Sequence, residues 1–179
     1  GDWRVALDGQ THRLQAFDDR FGVDLRLEPG KPPTAHGDAG LSRKGAESGN
    51  ASHYYSMTRM PTTGQLRLDG DRVDVTGTSW MDHEFGTTFL EPSQQGWDWF
   101  SLQLADGTDL MVYMLRQQDG ASDAHSSGTL VPANGEPMFL GSTDVVLTPG
   151  RTWVSSSSGA RYPVEWTIQI PGRDLYLEV

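Results

Sequence analysis

Gln65-Leu66-Arg67-Leu68, the dipeptide Asp69-Gly70, and then Val73-Asp74-Val75-Thr76-Gly77-Thr78-Ser79-Trp80-Met81-Asp82-His83-Glu84-Phe85 decide the fold. Apolar and polar residues alternate on both sides of the dipeptide, and Asp-Gly suits a tight hairpin turn because its central residues need positive φ. The stretch predicts two antiparallel strands. Outward from it the same grammar repeats, with period-two blocks at Trp3 to Leu7, Phe21 to Leu27, Tyr54 to Met60, Trp97 to Leu104, Leu110 to Leu115, Val145 to Leu147, Tyr162 to Ile170 and Leu175 to Val179. Further turn signals stand at Leu7-Asp8-Gly9, Asp106-Gly107, Asp119-Gly120 and Asn134-Gly135. No window carries a sustained 3.6-residue stripe with caps, so the reading is an all-β fold, a meander of antiparallel hairpins with little helix.

Two segments break the rhythm. Glu28 to Asn50 is rich in Gly, Pro and Ser and is expected to be a long loop without regular secondary structure, held by His36, Asp38, Arg43 and Lys44. Arg116 to Ser127 is polar and reads as an exposed hairpin tip.

The chain has 179 residues, enough for one well-buried domain or two small ones, and its 21 Gly and 10 Pro suit many turns. Fourteen Lys and Arg against 24 Asp and Glu give a net charge of −10, which repels phosphate backbones and anionic lipid and excludes nucleic acid as an expected partner. There is no cysteine, which removes disulfides, thiolate metal sites and cysteine nucleophiles. No apolar run approaches the ~20 residues of a transmembrane segment, and the first residues lack the basic start and apolar centre of a signal peptide. The chain begins and stops as strand, which reads as a piece cut from a longer protein.

Chemistry concentrates in Gly77 to Gly86. Alternation places Trp80, Asp82 and Glu84 on one face and Met81, His83 and Phe85 on the other. Val73 and Val75 point to odd positions as the core side, and a bulge at Gly77 would reverse the alternation and turn the acids inward. On the functional reading, a carboxyl sheltered beside Trp80 keeps a proton for use as a general acid. On the structural one, both acids are solvated on an outward face or bond backbone N–H groups. A zinc-protease motif beginning at His83 fails because Thr87 stands where a second histidine is required, and His12, His36, His53 and His125 have no ligand spacing. No metal and no cofactor are expected. A nucleophile elbow and a phosphate loop are missing from the sequence as well.

Aromatics cluster from Tyr54 and Tyr55 through Trp80, Phe85 and Phe89 to Trp97, Trp99 and Phe100. Trp97 and Trp99 share a face and Phe100 takes the other. Ordinary sheet core is the reading for Trp97 and Phe100, whereas Trp80 and Tyr55, near carboxylates, are candidates for a pocket wall.

Pro33 to Gly45, Ser52-His53-Tyr54-Tyr55-Ser56, Gly77 to Gly86 and Gln95-Gly96-Trp97-Asp98-Trp99-Phe100, taken in order, resemble the AttH-like, carotenoid 1,2-hydratase-related proteins. The similarity runs from about residue 28 to the end of the chain. It implies lipocalin-like antiparallel β-barrels in a tandem two-barrel protein, with the Trp-x-Asp motif beside an apolar cavity. An upstream Trp-Trp-Tyr segment and the closing strands of the second barrel are missing from the pattern. The expectation is therefore a fragment, with residues 1–89 the later part of the first barrel and 90–179 the early part of the second, completed by missing strands of the parent chain. The resemblance further implies a cofactor-free hydratase acting on an alkene of a lipophilic terpenoid, carotenoid or prenylated molecule, in a periplasmic or secreted bacterial protein. Asp82 would protonate the alkene, Trp80 and Tyr55 would face the resulting cation at a gain of roughly 2 kcal/mol, and His83 or Glu84 would orient water. Tyr54, Trp97, Trp99 and His36 complete the expected substrate-binding set. The alternative is a non-catalytic lipocalin-like carrier of a lipophilic small molecule in the cell envelope, since fold does not prove chemistry.

Overall fold

The structure, a computed structural model, describes residues 3–47, 49–86 and 90–179. The strands are β1 (Trp3–Asp8), β2 (Thr11–Phe17), β3 (Phe21–Leu27), β4 (Thr34–Ala35), β5 (Leu41–Arg43), β6 (Ala51–Leu68), β7 (Asp71–Gly86) and β8 (Gln94–Gln103). They continue with β9 (Asp109–Gln117), β10 (Ser127–Val131), β11 (Met138–Leu140), β12 (Val146–Pro149), β13 (Thr152–Val154), β14 (Arg161–Pro163), β15 (Trp166–Ile170) and β16 (Leu175–Glu178). Every pairing is antiparallel. The described residues hold a single 3₁₀ turn, Pro171–Arg173, and no α-helix, so none is long and apolar enough to cross a membrane. Each Asp-Gly or Asn-Gly pair falls at the connection between consecutive strands, with Asp8 itself the last residue of β1. At the β6–β7 turn Asp69 (φ 50°) and Gly70 (φ 96°) both adopt the left-handed backbone that a two-residue hairpin requires.

β6 organises the first sheet. β7 pairs along one of its edges, while β3, β4 and β5 share the other, and β2 and β1 extend the sheet beyond β3. A second sheet has the order β11-β10-β9-β8, a third has β12-β15-β16, and β13 pairs with β14. These pairings leave each sheet open among the described residues. The expected boundary at residue 89 falls on Phe89, which lies outside the described residues.

β9 explains the layering. Its run Leu110-Met111-Val112-Tyr113 is buried on both faces, so it reads as continuous rather than alternating hydrophobicity. Leu110 and Val112 join Leu130, Leu140, Ile168 and Ile170 in the core between the second and third sheets, with Phe100 packed against it. Met111, Tyr113 and Leu115 face the first sheet, packing with Tyr54, Trp80 and Leu90. Asp109, fully buried at the start of β9, ties the two layers together through Lys31 Nζ (2.9 Å), Arg59 Nη2 (2.7 Å) and Thr58 Oγ1 (2.8 Å).

Two expectations need correction. Glu28 to Asn50 contains β4 and β5, which pair with β6, and Thr34, His36, Ser42, Lys44 and Asn50 are buried. Arg116 to Ser127 is exposed only around its turn: Asp123, Ser126 and Ser127 are buried, and Asp123 accepts hydrogen bonds from Gln94 (3.0 Å) and Gln117.

The expected bulge also lies elsewhere. Gly77 pairs regularly with Thr62, whereas the register shifts between Met57 and Met60, placing the extra residue in β6. Thr58 and Arg59, adjacent in sequence, both reach Asp109, as the two residues of a bulge do when they share one side. β7 keeps its alternation, so Val73 and Val75 stay on the face opposite Trp80, Asp82 and Glu84.

Candidate functional site

β6 and β7 pair with Tyr54 opposite Glu84 and Ser56 opposite Asp82. Period-two alternation then puts Ser52, Tyr54, Ser56, Trp80, Asp82 and Glu84 on one face, turned toward β8 and β9. Between the layers lies a small cleft of about 90 Å³, open to solvent and lined by Lys44, Tyr54, Glu84, Trp97, Trp99, Tyr113 and Leu115. Aromatic rings make its walls and a single ion pair supplies charge within it. That composition, apolar with a few convergent polar groups, is the usual make-up of a small-molecule site.

Asp82 does not line the cleft itself but stands at its rim, bonded to the hydroxyl of its wall residue Tyr54. Three donors converge on one of its oxygens: Trp80 Nε1 reaches Oδ1 at 2.9 Å, the Tyr54 hydroxyl at 3.1 Å, and Ser56 Oγ also donates to Oδ1. No described residue donates to Oδ2. Such convergence fixes the carboxyl plane and leaves one oxygen for a bound molecule. Glu84 repeats the arrangement within the cleft, with Ser52 Oγ at 2.5 Å and Lys44 Nζ at 3.1 Å, both on Oε1.

Behind the carboxylates lies a buried polar layer. His36, 1% exposed, holds Ser56 Oγ at 2.7 Å through Nε2 and Thr129 Oγ1 at 2.9 Å through Nδ1. Its ring also packs on Tyr54 with centroids 4.3 Å apart. Burial is the main cause that pulls its pKa from 6.5 down to about 4, and the Lys44 ammonium adds to it while Glu84 opposes. Burial likewise pushes the Tyr54 phenol well above its usual range, reinforced by the charge of Asp82, so Tyr54 stays a neutral donor. Trp99 Nε1 donates to the Tyr54 hydroxyl at 3.1 Å, linking β8 to the network. Lys44 Nζ stands 3.8 Å from the centroid of the Tyr113 ring, and the Tyr113 hydroxyl is 3.0 Å from Ser42 Oγ.

The structure brings together Asp82, Glu84, Trp80, Tyr54, Trp97 and Trp99, and separates others. Tyr55 and His83 lie on the opposite face of the sheet, where His83 Nδ1 bonds the Tyr55 hydroxyl at 2.9 Å, so Tyr55 does not wall the cleft and His83 does not reach water beside Asp82. His36 stands behind Ser56 and Tyr54 and touches the cleft only through them. Trp97, read as sheet core from its alternation and as a substrate-binding residue from the resemblance, is 55% exposed at the cleft mouth. Sequence reasoning missed Ser52, Ser56, Tyr113 and Thr129 as parts of the site and took Lys44 as a loop anchor. Serines four positions apart in β6, with Tyr54 between them on the same face, were the available signal for the first two. Among the described residues no group of three or more His, Asp or Glu is placed to hold a metal ion.

Comparison with known proteins adds four findings. The sequence profile of the AttH-like family matches residues 1–179. A crystal structure of an AttH protein from Nitrosomonas europaea superposes with a TM-score of 0.89 at 32% identity, over 94% of this chain and 52% of that one. Kievitone hydratase from Nectria haematococca shares the fold, with a TM-score of 0.76 at 21% identity over 96% of this chain and 53% of that one. By sequence, the dehydratase asqC of Emericella nidulans is 24% identical over 182 residues, 94% of this chain and 48% of the relative. The chain thus spans about half the length of the proteins it matches.

Proposed function

The chain belongs to the AttH-like family, whose profile spans its whole length, and from that premise we propose that it carries the site of a hydro-lyase acting on a lipophilic small molecule. A hydratase and a dehydratase among the similar proteins support this reading, because adding and removing water are one reaction run in two directions. The observation that carries it is the convergence of Trp80, Tyr54 and Ser56 on Asp82 Oδ1 at the rim of an aromatic cleft. A carboxylate that only solvates a strand face has no use for three oriented donors.

In the hydration direction the Asp82 carboxyl gives its proton to one alkene carbon, and the π-electrons form the new C–H bond. The adjacent carbon becomes a tertiary cation, facing the indole rings that line the cleft. Water adds through its oxygen, and its surplus proton passes to a carboxylate, Glu84 or the newly deprotonated Asp82. Every atom of substrate and water is kept, so no oxidant or cofactor enters. The substrate on this reading is a terpenoid, carotenoid or prenylated alkene, small or slender enough to lay one end on Trp97 and Trp99. The strands that would close the open sheets belong, on the same reading, to the rest of a chain about twice this length, exported to the periplasm or beyond.

Asp82→Asn in the full-length protein tests the assignment. The amide keeps the shape and accepts the same bonds but has no acidic proton, so turnover is expected to fall by about two to four powers of ten with ligand affinity nearly kept. Incorporation of deuterium from heavy water into a panel of prenylated and terpenoid alkenes reads the proton transfer. Undiminished incorporation in Asp82→Asn removes Asp82 as the acid, and tight binding by the wild type with no incorporation across the panel identifies a carrier.

A further inference from the structure

The hydrogen bonds behind Asp82 have a direction. Asp82 Oδ1, with Trp80 and Tyr54 also donating to it, accepts from Ser56, so the Ser56 hydroxyl proton points at the carboxylate. Ser56 Oγ must then accept from its other neighbour, His36 Nε2, 2.7 Å away. That fixes the imidazole as the Nε2–H tautomer, and its bare Nδ1 accepts from Thr129 Oγ1 at 2.9 Å. Thr129 is 2% exposed and Ser56 fully buried, so water does not compete for these contacts. The chain Thr129, His36, Ser56, Asp82 therefore runs one way across three strands and the segment after β4, ending on the oxygen that also accepts from Trp80 and Tyr54.

We propose that His36 is a positioning residue for Asp82, acting through Ser56 to keep Oδ1 occupied by donors so that the transferable proton resides on Oδ2. Packing of the imidazole on the Tyr54 ring orients a second donor to the same oxygen. With Oδ1 saturated, a proton on Asp82 has only Oδ2 to bind, the oxygen without a described donor. Charged and titratable groups near this chain are Lys44 and Glu84, which act on His36, and Tyr54, which packs on His36 and bonds Asp82. The role in turnover rests on the hydro-lyase reading; the direction of the chain does not.

The decisive measurement is the ¹⁵N and ¹H spectrum of the His36 ring in the intact protein at pH 7. The expected signature is a protonated Nε2 and an unprotonated Nδ1. A predominant Nδ1–H tautomer or an imidazolium overturns the proposal without needing any variant. Asp82→Ala, at an exposed rim position, releases the Ser56 proton, so the Nε2–H tautomer is expected to give way to a mixture, whereas a merely structural histidine would not respond. An unchanged tautomer in that variant also overturns the proposal. In turnover, His36→Gln places an amide N–H near the Nε2 position and is expected to keep activity within about threefold, while His36→Asn, which reaches only the Nδ1 position, lowers kcat by about tenfold or more at constant KM. Equal loss in both, or a loss confined to KM, refutes positioning. Absence of turnover in the wild type refutes the hydro-lyase reading alone, because the tautomer still decides the direction of the chain.

Discussion

Lowering the pH from 7 toward 4 should destabilise this fold through His36. The sign follows from which state binds the proton. Unfolded, the imidazole titrates near 6.5; folded, burial and the Lys44 ammonium bring it to about 4. Between these values the unfolded chain holds a proton that the folded chain refuses, so stability is complete above the upper value and falls as pH drops through the window. For one site with those two constants the loss is about 2 kcal/mol at pH 5 and about 3 kcal/mol at pH 4. Urea unfolding followed by the fluorescence of the six tryptophans, repeated at half-unit steps of pH, measures it. His36→Gln is the reference, since it keeps a donor toward Ser56 but cannot be protonated, and subtracting its curve removes every other titration. The difference between the two proteins should grow as pH falls below 6.5 and level off near 4. A difference that stays flat from pH 7 to 4.5 refutes the claim that His36 is buried in its neutral form.

Two further outcomes test the layout of the molecule. Asp109→Asn leaves Lys31 and Arg59 without their shared buried counter-charge, so chemical denaturation should show a loss of about 3–5 kcal/mol, and a loss below 1 kcal/mol would mean that Asp109 does not tie the layers. His83→Ala removes a side chain on the face opposite Asp82 that bonds Tyr55, so turnover should change less than about twofold, and a large loss of kcat would place catalysis on the wrong face of β7 in this account.

Fold class was legible because hairpin turns and period-two blocks are local signals, and β3 matches its block from Phe21 to Leu27. Strands whose partners define them were not. β10, Ser127-Gly128-Thr129-Leu130-Val131, is buried at every residue because β9 and β11 flank it, yet three of its five side chains are small or polar. β4 and β5 sit inside a Pro- and Gly-rich stretch and exist by pairing with β6. β6 itself was read as two blocks because Pro61 and Gly64 interrupt it, although Pro61 falls just past the bulge, where a strand tolerates the missing donor. In the site, the face shared by Trp80, Asp82 and Glu84 followed from alternation alone. What stands across from that face did not, since Lys44, Tyr113 and Thr129 arrive from distant elements and only packing brings them within reach. Tyr54 rather than Tyr55 serves the cleft for the same reason: adjacent residues point to opposite faces, and the choice between them depends on register.

Register also explains why one extra residue in β6 matters to the chemistry. Below the bulge the even positions Ser52, Tyr54 and Ser56 face the cleft and supply hydroxyls to Glu84 and Asp82. Above it Met60 pairs with Ser79 and Thr62 with Gly77, and Thr62 Oγ1 bonds Ser79 Oγ at 2.8 Å on the face opposite Asp82. Met60, 1% exposed, is thereby buried on the other side of the same sheet. A strand of 18 residues without the extra one would hold both sets on one face, since side chains alternate strictly with period two. Either the acids would lose their donors or Met60 would leave its core. The two bulge residues, Thr58 and Arg59, are the ones that grip Asp109, so the point where the strand changes face is also where the second layer is fastened to the first. The cleft thus takes its position from the bulge, because the same residues that release β6 from its earlier alternation fix how far β9, with Tyr113 and Leu115, lies from the carboxylates.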